Sequence, residues 1–191
     1  MRVIAGDFKG RKLVSPKGSF VRPTADRVKE AIFSMIEAEL PGAVCFDMFA
    51  GSGALGIEAL SRGAERVYFC ENAGVSIEAL KHNLEACAVD GRRAVLLTRS
   101  WETAAALMNE KCNLVFIDAP YNMCEYYSQI LESLAEGHVL EEDALIVIER
   151  RNSAGGYVLP GGFSLIREKR YGSVGVDLIA YANTGVDNEQ G

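Results

Sequence analysis

Nothing in the sequence approaches the roughly 20 consecutive apolar residues that a membrane helix needs. The opening Met1-Arg2-Val3-Ile4-Ala5-Gly6-Asp7 also lacks the apolar region of a secretory signal. A cytoplasmic protein without a membrane partner is therefore expected. Histidine is scarce, with only two in 191 residues. His82 falls off the apolar side of a helical pattern and His138 sits in a loop with Glu136 and Gly137, so no nucleophile-and-base pair is visible. The five cysteines, at positions 45, 70, 87, 112 and 124, are odd in number and contain no C-x-x-C pair. They read as small buried hydrophobes in a reducing compartment, and no metal site is expected. The length suits one domain, or one domain with a small appendage.

What the chain does contain is organised around Cys45-Phe46-Asp47-Met48-Phe49-Ala50-Gly51-Ser52-Gly53-Ala54-Leu55-Gly56. An apolar run ends in an acid, turns through two glycines and enters a helix, the pattern of the first strand, loop and helix of a nucleotide-binding α/β fold. Gly51, Gly53 and Gly56 have the G-x-G-x-x-G spacing of dinucleotide sites. Asp47 argues against a dinucleotide, because a pyrophosphate at the mouth of the turn would meet like charge. S-adenosylmethionine has no phosphate and carries an ammonium and a sulfonium, so it suits the loop better. Glu71, 20 residues after Gly51 at the end of the next apolar run, can accept the ribose hydroxyls of either cofactor. A purely structural role, with the glycines making a tight turn and Asp47 capping the helix, remains an alternative at this point.

The formal net charge of -6 hides an asymmetry. Residues 1 to 30 hold eight Lys/Arg and three acids, a net of +5, and the remaining residues hold twelve and twenty-three, a net of -11. A basic arm on an acidic body is the pattern of a segment that meets a polyanion. Within the arm, Arg2 to Gly6 and Arg11 to Val14 read as a short hairpin with Lys9, Arg11 and Lys12 at its tip and Gly10 easing the turn. Thr24 can cap a helix with an apolar face of Val28, Ile32, Met35 and Ile36, ended by Pro41-Gly42. Arg22 and Arg27 flank its start and can hold phosphate oxygens, or pair with Asp26 or Glu30.

From Ala43 the chain alternates strands, at about 43 to 48, 66 to 71, 93 to 98, 114 to 118 and 144 to 149, with helices. That regularity predicts a mainly parallel sheet covered on both faces. Ile77, Leu80, Leu84 and Cys87 form the apolar face of the helix after Glu71. Beyond Arg150 the pattern changes: Gly155-Gly156, Pro160 and Gly161-Gly162 mark an irregular connection. Ser164 to Lys169 and Val174 to Ala182 then pair as an antiparallel hairpin through Tyr171-Gly172-Ser173. The expected fold is α/β, a mainly parallel seven-stranded sheet with a reversed last strand. A polar, disordered tail closes the chain.

Asn113-Leu114-Val115-Phe116-Ile117-Asp118-Ala119-Pro120-Tyr121 places an acid, a proline and an aromatic just past the C-terminal end of the fourth strand. In an open α/β sheet that edge, beside the switch point, is where ligands bind. Asp118 would stand near a donor held by Asp47, Gly51 and Glu71. Alternatively, Asp118 caps the next helix and Pro120 makes a turn.

The chain now resembles a known family. Lys9-Gly10-Arg11-Lys12-Leu13, Arg22-Pro23-Thr24-Ala25-Asp26-Arg27-Val28-Lys29-Glu30, the run from Asp47 through Gly56-Ile57-Glu58-Ala59-Leu60-Ser61-Arg62-Gly63-Ala64, and Asp118-Ala119-Pro120-Tyr121 look like the bacterial 16S ribosomal RNA guanine-N2 methyltransferases of the RsmD type. The resemblance covers residues 2 to 182. It implies a class I, Rossmann-like methyltransferase fold, S-adenosylmethionine as donor and a guanine of small-subunit RNA as acceptor. Residues 1–40 would be an RNA-facing extension, 41–183 the methyltransferase domain and 184–191 the disordered tail. A monomer is expected, with 16S rRNA or the assembling small subunit as partner.

Asp118 and the carbonyl of Ala119 would accept the two N–H bonds of the guanine amine, Pro120 would shape the loop and Tyr121 would stack on the base. Asp47, Phe49, Ala50, Gly51, Ser52, Gly53, Glu71 and Asn72 would hold the donor, with Arg99, Ser100 and Trp101 beside its adenine. Lys9, Arg11, Lys12, Arg22, Thr24 and Arg27 would meet RNA. Ala119 replaces the first proline of the family's Asp-Pro-Pro-Tyr and keeps the carbonyl, so activity is expected to survive with a looser loop. Ala5 replaces the usual glycine and bears on hairpin geometry alone. Three rival readings stand beside this one: an NAD-dependent oxidoreductase, an amino-methyltransferase acting on DNA adenine or a protein amide, and a catalytically silent RNA binder.

Overall fold

Alternation along the strands sorts the apolar residues onto two faces of one sheet. Cys45, Leu114, Phe116 and Val147 pack on one side with Ile32, Phe33, Leu60 and Leu80. Phe46, Val115, Ile117 and Ile148 pack on the other with Ile130, Leu131 and Leu134. The computed structural model of the chain describes residues 1–16, 26–120, 126–152 and 156–182. Arg22, Thr24, Tyr121, Cys124 and the tail 184–191 lie outside the described residues.

The elements are α1 (Asp26–Met35), β1 (Val44–Asp47), α2 (Ala54–Ser61), β2 (Arg66–Cys70), α3 (Gly74–Ala86), β3 (Ala94–Leu97), the short α4 (Trp101–Ala104), β4 (Cys112–Ile117), α5 (Tyr127–Glu136), β5 (Leu140–Arg151), β6 (Phe163–Tyr171) and β7 (Val174–Tyr181). The sheet order is β3-β2-β1-β4-β5-β7-β6. β1 to β5 pair in parallel, whereas β7 runs antiparallel to both β5 and β6. The seven-stranded, mainly parallel sheet with a reversed last strand is the one expected, and the chain reverses direction across it between β1 and β4. That switch point opens a crevice at the C-terminal strand ends.

Four details differ from the sequence reading. α1 stops at Met35 instead of reaching Pro41-Gly42; Ile36 leaves helical geometry at φ -118°, and a 3₁₀ turn over Glu37–Glu39 follows. That bend buries both Ile36 and Leu40. The buried face of α3 is Ser76, Ala79, Leu80, Asn83 and Leu84, so Ile77 sits at its margin. β5 starts early, at Leu140, and its pairing with β4 slips between Cys112 and Leu114, with Asp143 at φ 62° in the irregular part.

The amino-terminal hairpin, finally, is shorter than expected, with one antiparallel bridge between Arg2 and Lys12. Val3 N–H bonds the Arg11 carbonyl at 2.9 Å and Leu13 N–H the Met1 carbonyl at 3.0 Å. The amides of Ile4 and Ala5, expected to continue the ladder, instead donate to the carboxylate of Glu58 in α2, at 2.8 and 3.0 Å. A buried carboxylate is a stronger acceptor than a second strand's carbonyl. The arm is thereby fastened to the helix that follows the glycine turn.

Candidate active site

β1 delivers Asp47 to the crevice, and the turn that follows depends on small residues. Gly53 adopts φ 80°, and a Cβ there would come within 2.4 Å of Leu80 Cδ1. A Cβ on Gly56 would fall 2.2 Å from Cε1 of Phe69 in β2, so this glycine lets α2 lie directly on the sheet. Asp47 is buried, and its Oδ2 accepts the Gly56 N–H at 3.0 Å. Glu71 Oε2 accepts the Gly51 N–H at 2.9 Å, and its Oε1 accepts the Asn72 and Ala73 amides, each at 2.8 Å. The two acids therefore brace the loop from inside. A carboxylate offers about four acceptor positions, so this bracing leaves Glu71 able to take a ligand hydroxyl.

Asn83, which sequence reasoning missed, adds a third brace. It is fully buried and its Nδ2 donates to the carbonyls of Ser52, at 2.8 Å, and Val14, at 3.0 Å, while Oδ1 accepts the Val14 N–H at 2.8 Å. One side chain thus joins the glycine turn to the amino-terminal hairpin. Its only sequence signal is a polar residue at a core-facing position of a helix.

These elements surround a cavity of about 630 Å³. Asp47, Phe49, Ala50, Gly51, Ser52, Glu71 and Asn72 line it from the first two strands, and Arg99, Ser100 and Trp101 from the end of the third. Asp118, Ala119 and Pro120 line it from the end of β4. The structure thus brings Asp47 and Asp118, 71 positions apart in sequence, to one strand edge. Gly53 does not line the cavity; it is buried beneath the turn against Leu80. Lys9, Arg11, Lys12 and Arg27 are exposed and do not line it either. Further lining comes from Met1, Ser15 and Pro16 of the amino-terminal arm, and from Glu102 and Glu149.

The cavity is electrostatically suited to a cation. Burial pushes the Asp47 carboxyl up to about 7; the Gly56 N–H opposes this, the nearby Asp118 and Glu71 charges add to it, and the Phe49 N–H opposes it. Because the folded value exceeds that of the unfolded chain, the stability Asp47 contributes is fully present below about pH 4 and is lost as pH rises through about 7. A cationic ligand offsets that loss by pairing with the ionised form. Binding of a cationic ligand that pairs with Asp47, with S-adenosylmethionine as the probe, is therefore expected to strengthen by about tenfold from pH 6 to pH 8, following the ionised fraction. Calorimetric titration across that range checks it, and Asp47→Asn, which keeps an acceptor for the Gly56 amide, is expected to flatten the profile.

The phosphate alternative fares differently. In dinucleotide folds the amides at the start of the first helix face the pyrophosphate. Here the Gly51 amide of the turn and the Gly56 amide in the first turn of α2 are already held by Glu71 and Asp47. Their carboxylates neutralise the helix terminus that a phosphate would use.

Residues 1–180 match the family model described as conserved hypothetical protein 95. YlbH of Bacillus subtilis is 37% identical over 178 residues, covering 92% of this chain and 96% of that one. The ribosomal RNA small subunit methyltransferase D of Haemophilus influenzae is 34% identical over 181 residues, covering 91% of this chain and 90% of its own. The solved structure of YhhF from Escherichia coli superposes with a TM-score of 0.82 at 31% identity, over 95% of this chain and 98% of that one. With the sheet order, the glycine turn and the Asp118 loop all in place, this chain belongs to the RsmD family of methyltransferases.

Proposed function

We propose that this protein transfers a methyl group from S-adenosylmethionine to the exocyclic N2 amine of a guanine in 16S ribosomal RNA. The observation that carries the reading is the shared cavity, in which the Asp118 loop and the glycine turn line one space. The relatives named as small-subunit rRNA methyltransferases support the acceptor. The acidic lining and the occupied turn amides fit a cationic, phosphate-free donor better than a dinucleotide.

Asp47, Gly51, Ser52 and Glu71 would hold the donor, with Arg99, Ser100 and Trp101 beside its adenine. When bound, S-adenosylmethionine supplies a methyl group activated by a sulfonium. The chain's own residues prepare the acceptor. An exocyclic guanine amine is a poor nucleophile because its lone pair is delocalised into the ring. Asp118 and the Ala119 carbonyl accept its two N–H bonds, hold the lone pair out of conjugation and aim it for in-line displacement of the methyl from sulfur, and the proton the amine then loses passes to the Asp118 carboxylate. Tyr121 stacks on the base. The nucleotide reaches the cavity single-stranded or extruded, at a cost of a few kcal/mol. Residues 1–40 form the RNA-facing extension of a 41–183 catalytic domain, and contacts of Lys9, Arg11, Lys12, Arg22, Thr24 and Arg27 with RNA offset that cost.

Transfer of labelled methyl from S-adenosylmethionine to undermethylated small-subunit RNA, free and as assembled particles, tests the proposal. Label recovered as N2-methylguanosine is the expected result. Label in another nucleoside, or in none despite measured donor binding, refutes it. Replacing Lys9, Arg11 and Lys12 together by Ala is expected to lower the slope of log affinity against log salt by about one unit per removed cation. Filter binding from low to moderate salt measures this, and an unchanged slope would take these three residues out of the RNA contact.

A further inference from the structure

Glu149 has no part in the scheme above, yet its placement calls for a role. It lies in β5, the strand beside β4, and is 5% exposed while lining the same cavity as Asp118 and Ala119. The β4–β5 register ends with Ile117 beside Ile148, so Asp118, just past the end of β4, and Glu149 in β5 are the residues that follow that pair. Val147, two residues before Glu149 and on the same side of the strand, packs into the apolar core beneath the crevice. Glu149 thus takes the place that an aliphatic residue would fill if packing were the only demand. Its backbone is rigidly set: it pairs with Val176 of β7, and its carbonyl accepts the Tyr127 hydroxyl at 3.2 Å.

We propose that Glu149 reads the N1–H of the acceptor base and makes this site specific for guanine. The inference rests on the guanine-N2 reading of the site and names what selects the base. The Watson–Crick edge of guanine presents N1–H and the N2 amine side by side, all donors. Adjacent strands run about 4.7–4.9 Å apart, so carboxylates at neighbouring positions can converge on adjacent donors of one edge. Asp118 takes an N2–H and Glu149 takes N1–H. Adenine, and any purine with an unprotonated N1, would turn a lone pair toward the Glu149 carboxylate. A site built to bond a donor rejects the analogue lacking it far more strongly than an apolar pocket rejects a change of shape.

The probe is 2,6-diaminopurine, which keeps the N2 amine but carries a lone pair at N1. Small-subunit RNA with guanine or diaminopurine at the nucleotide the wild-type protein labels is compared by kcat/KM for wild type, Glu149→Gln and Glu149→Asp, with donor affinity measured alongside. The wild type is expected to prefer guanine by at least about 100-fold. Glu149→Gln, whose amide can donate to N1, is expected to compress that preference at least about tenfold at unchanged donor affinity. Glu149→Asp should lower the rate on guanine and keep the direction of the preference, which a misfolded variant would not do. A wild type indifferent to the two bases, or a Gln variant with the wild-type ratio, overturns the inference. Failure of the wild type to methylate N2 of guanine at all refutes the function proposal itself.

Discussion

Asp118→Ala is expected to slow methyl transfer by about 10²–10⁴-fold while S-adenosylmethionine still binds. The size follows from removing one prepositioned group that acts on the reacting amine in the transition state. Donor binding survives because the glycine turn that lines the donor side of the cavity is braced by Asp47, Glu71 and Asn83, not by Asp118. A second consequence separates loss of chemistry from loss of structure. The Asp118 charge contributes to the upward shift of Asp47. Without it Asp47 ionises at lower pH, so the rise in donor affinity moves toward acid while its shape persists. Asp118→Asn keeps an acceptor oxygen but not the charge, and a loss between those of wild type and Asp118→Ala is expected. Single-turnover transfer, with donor titrations at several pH values, reads all three effects. Near-normal turnover in a folded Asp118→Ala protein would end the mechanism proposed.

The sequence carried the sheet because the strands are apolar runs with regular spacing, and Tyr171-Gly172-Ser173 announced the last hairpin. It did not show that β7 inserts between β5 and β6, since that pairing joins segments separated by an irregular connection. The glycine turn and the Asp118 loop were legible as motifs, because each places its chemistry within a few neighbouring residues. Buried polar residues were harder to read. Asn83 and Glu149 have no local pattern; their roles come from elements that lie far away in sequence. Glu58 appeared only inside a family signature, and Lys29 was counted with the basic charges of the arm. The structure buries Lys29 against Glu58, and pairs Arg2 with Asp26 at 3.2 Å. The arm therefore offers RNA fewer uncommitted cations than its net charge suggests.

Glu58→Leu is expected to destabilise the protein by about 3–5 kcal/mol, a drop in Tm on the order of 10 °C for a chain this size. The carboxylate is completely buried, and it serves four partners from three parts of the chain. Oε2 accepts from Lys29 Nζ at 2.9 Å and from Ile4 N–H at 2.8 Å; Oε1 accepts from Ala5 N–H at 3.0 Å and from Arg62 Nε at 2.9 Å. Lys29 Nζ also donates to the Arg2 carbonyl at 2.6 Å, but that oxygen cannot balance its charge. Removing Glu58 leaves a buried ammonium without a counter-ion and two backbone amides without acceptors, losses that an added leucine cannot offset. Lys29→Met is expected to cost less, because Glu58 keeps Arg62 and both amides. Combining the two should recover part of the loss, since no fully buried ammonium is then left without its counter-ion, although Arg62 still loses Glu58, and a coupling of at least about 1 kcal/mol is expected in the double-mutant cycle. Met1, Ser15 and Pro16 reach the cavity from this same arm, so loosening the Glu58 anchor should weaken donor binding at temperatures where the sheet is still folded. Thermal unfolding with parallel donor titrations tests the chain of argument. A Glu58→Leu protein that melts with the wild type would mean that the arm is held by apolar packing of Val3 and Leu13 rather than by this carboxylate.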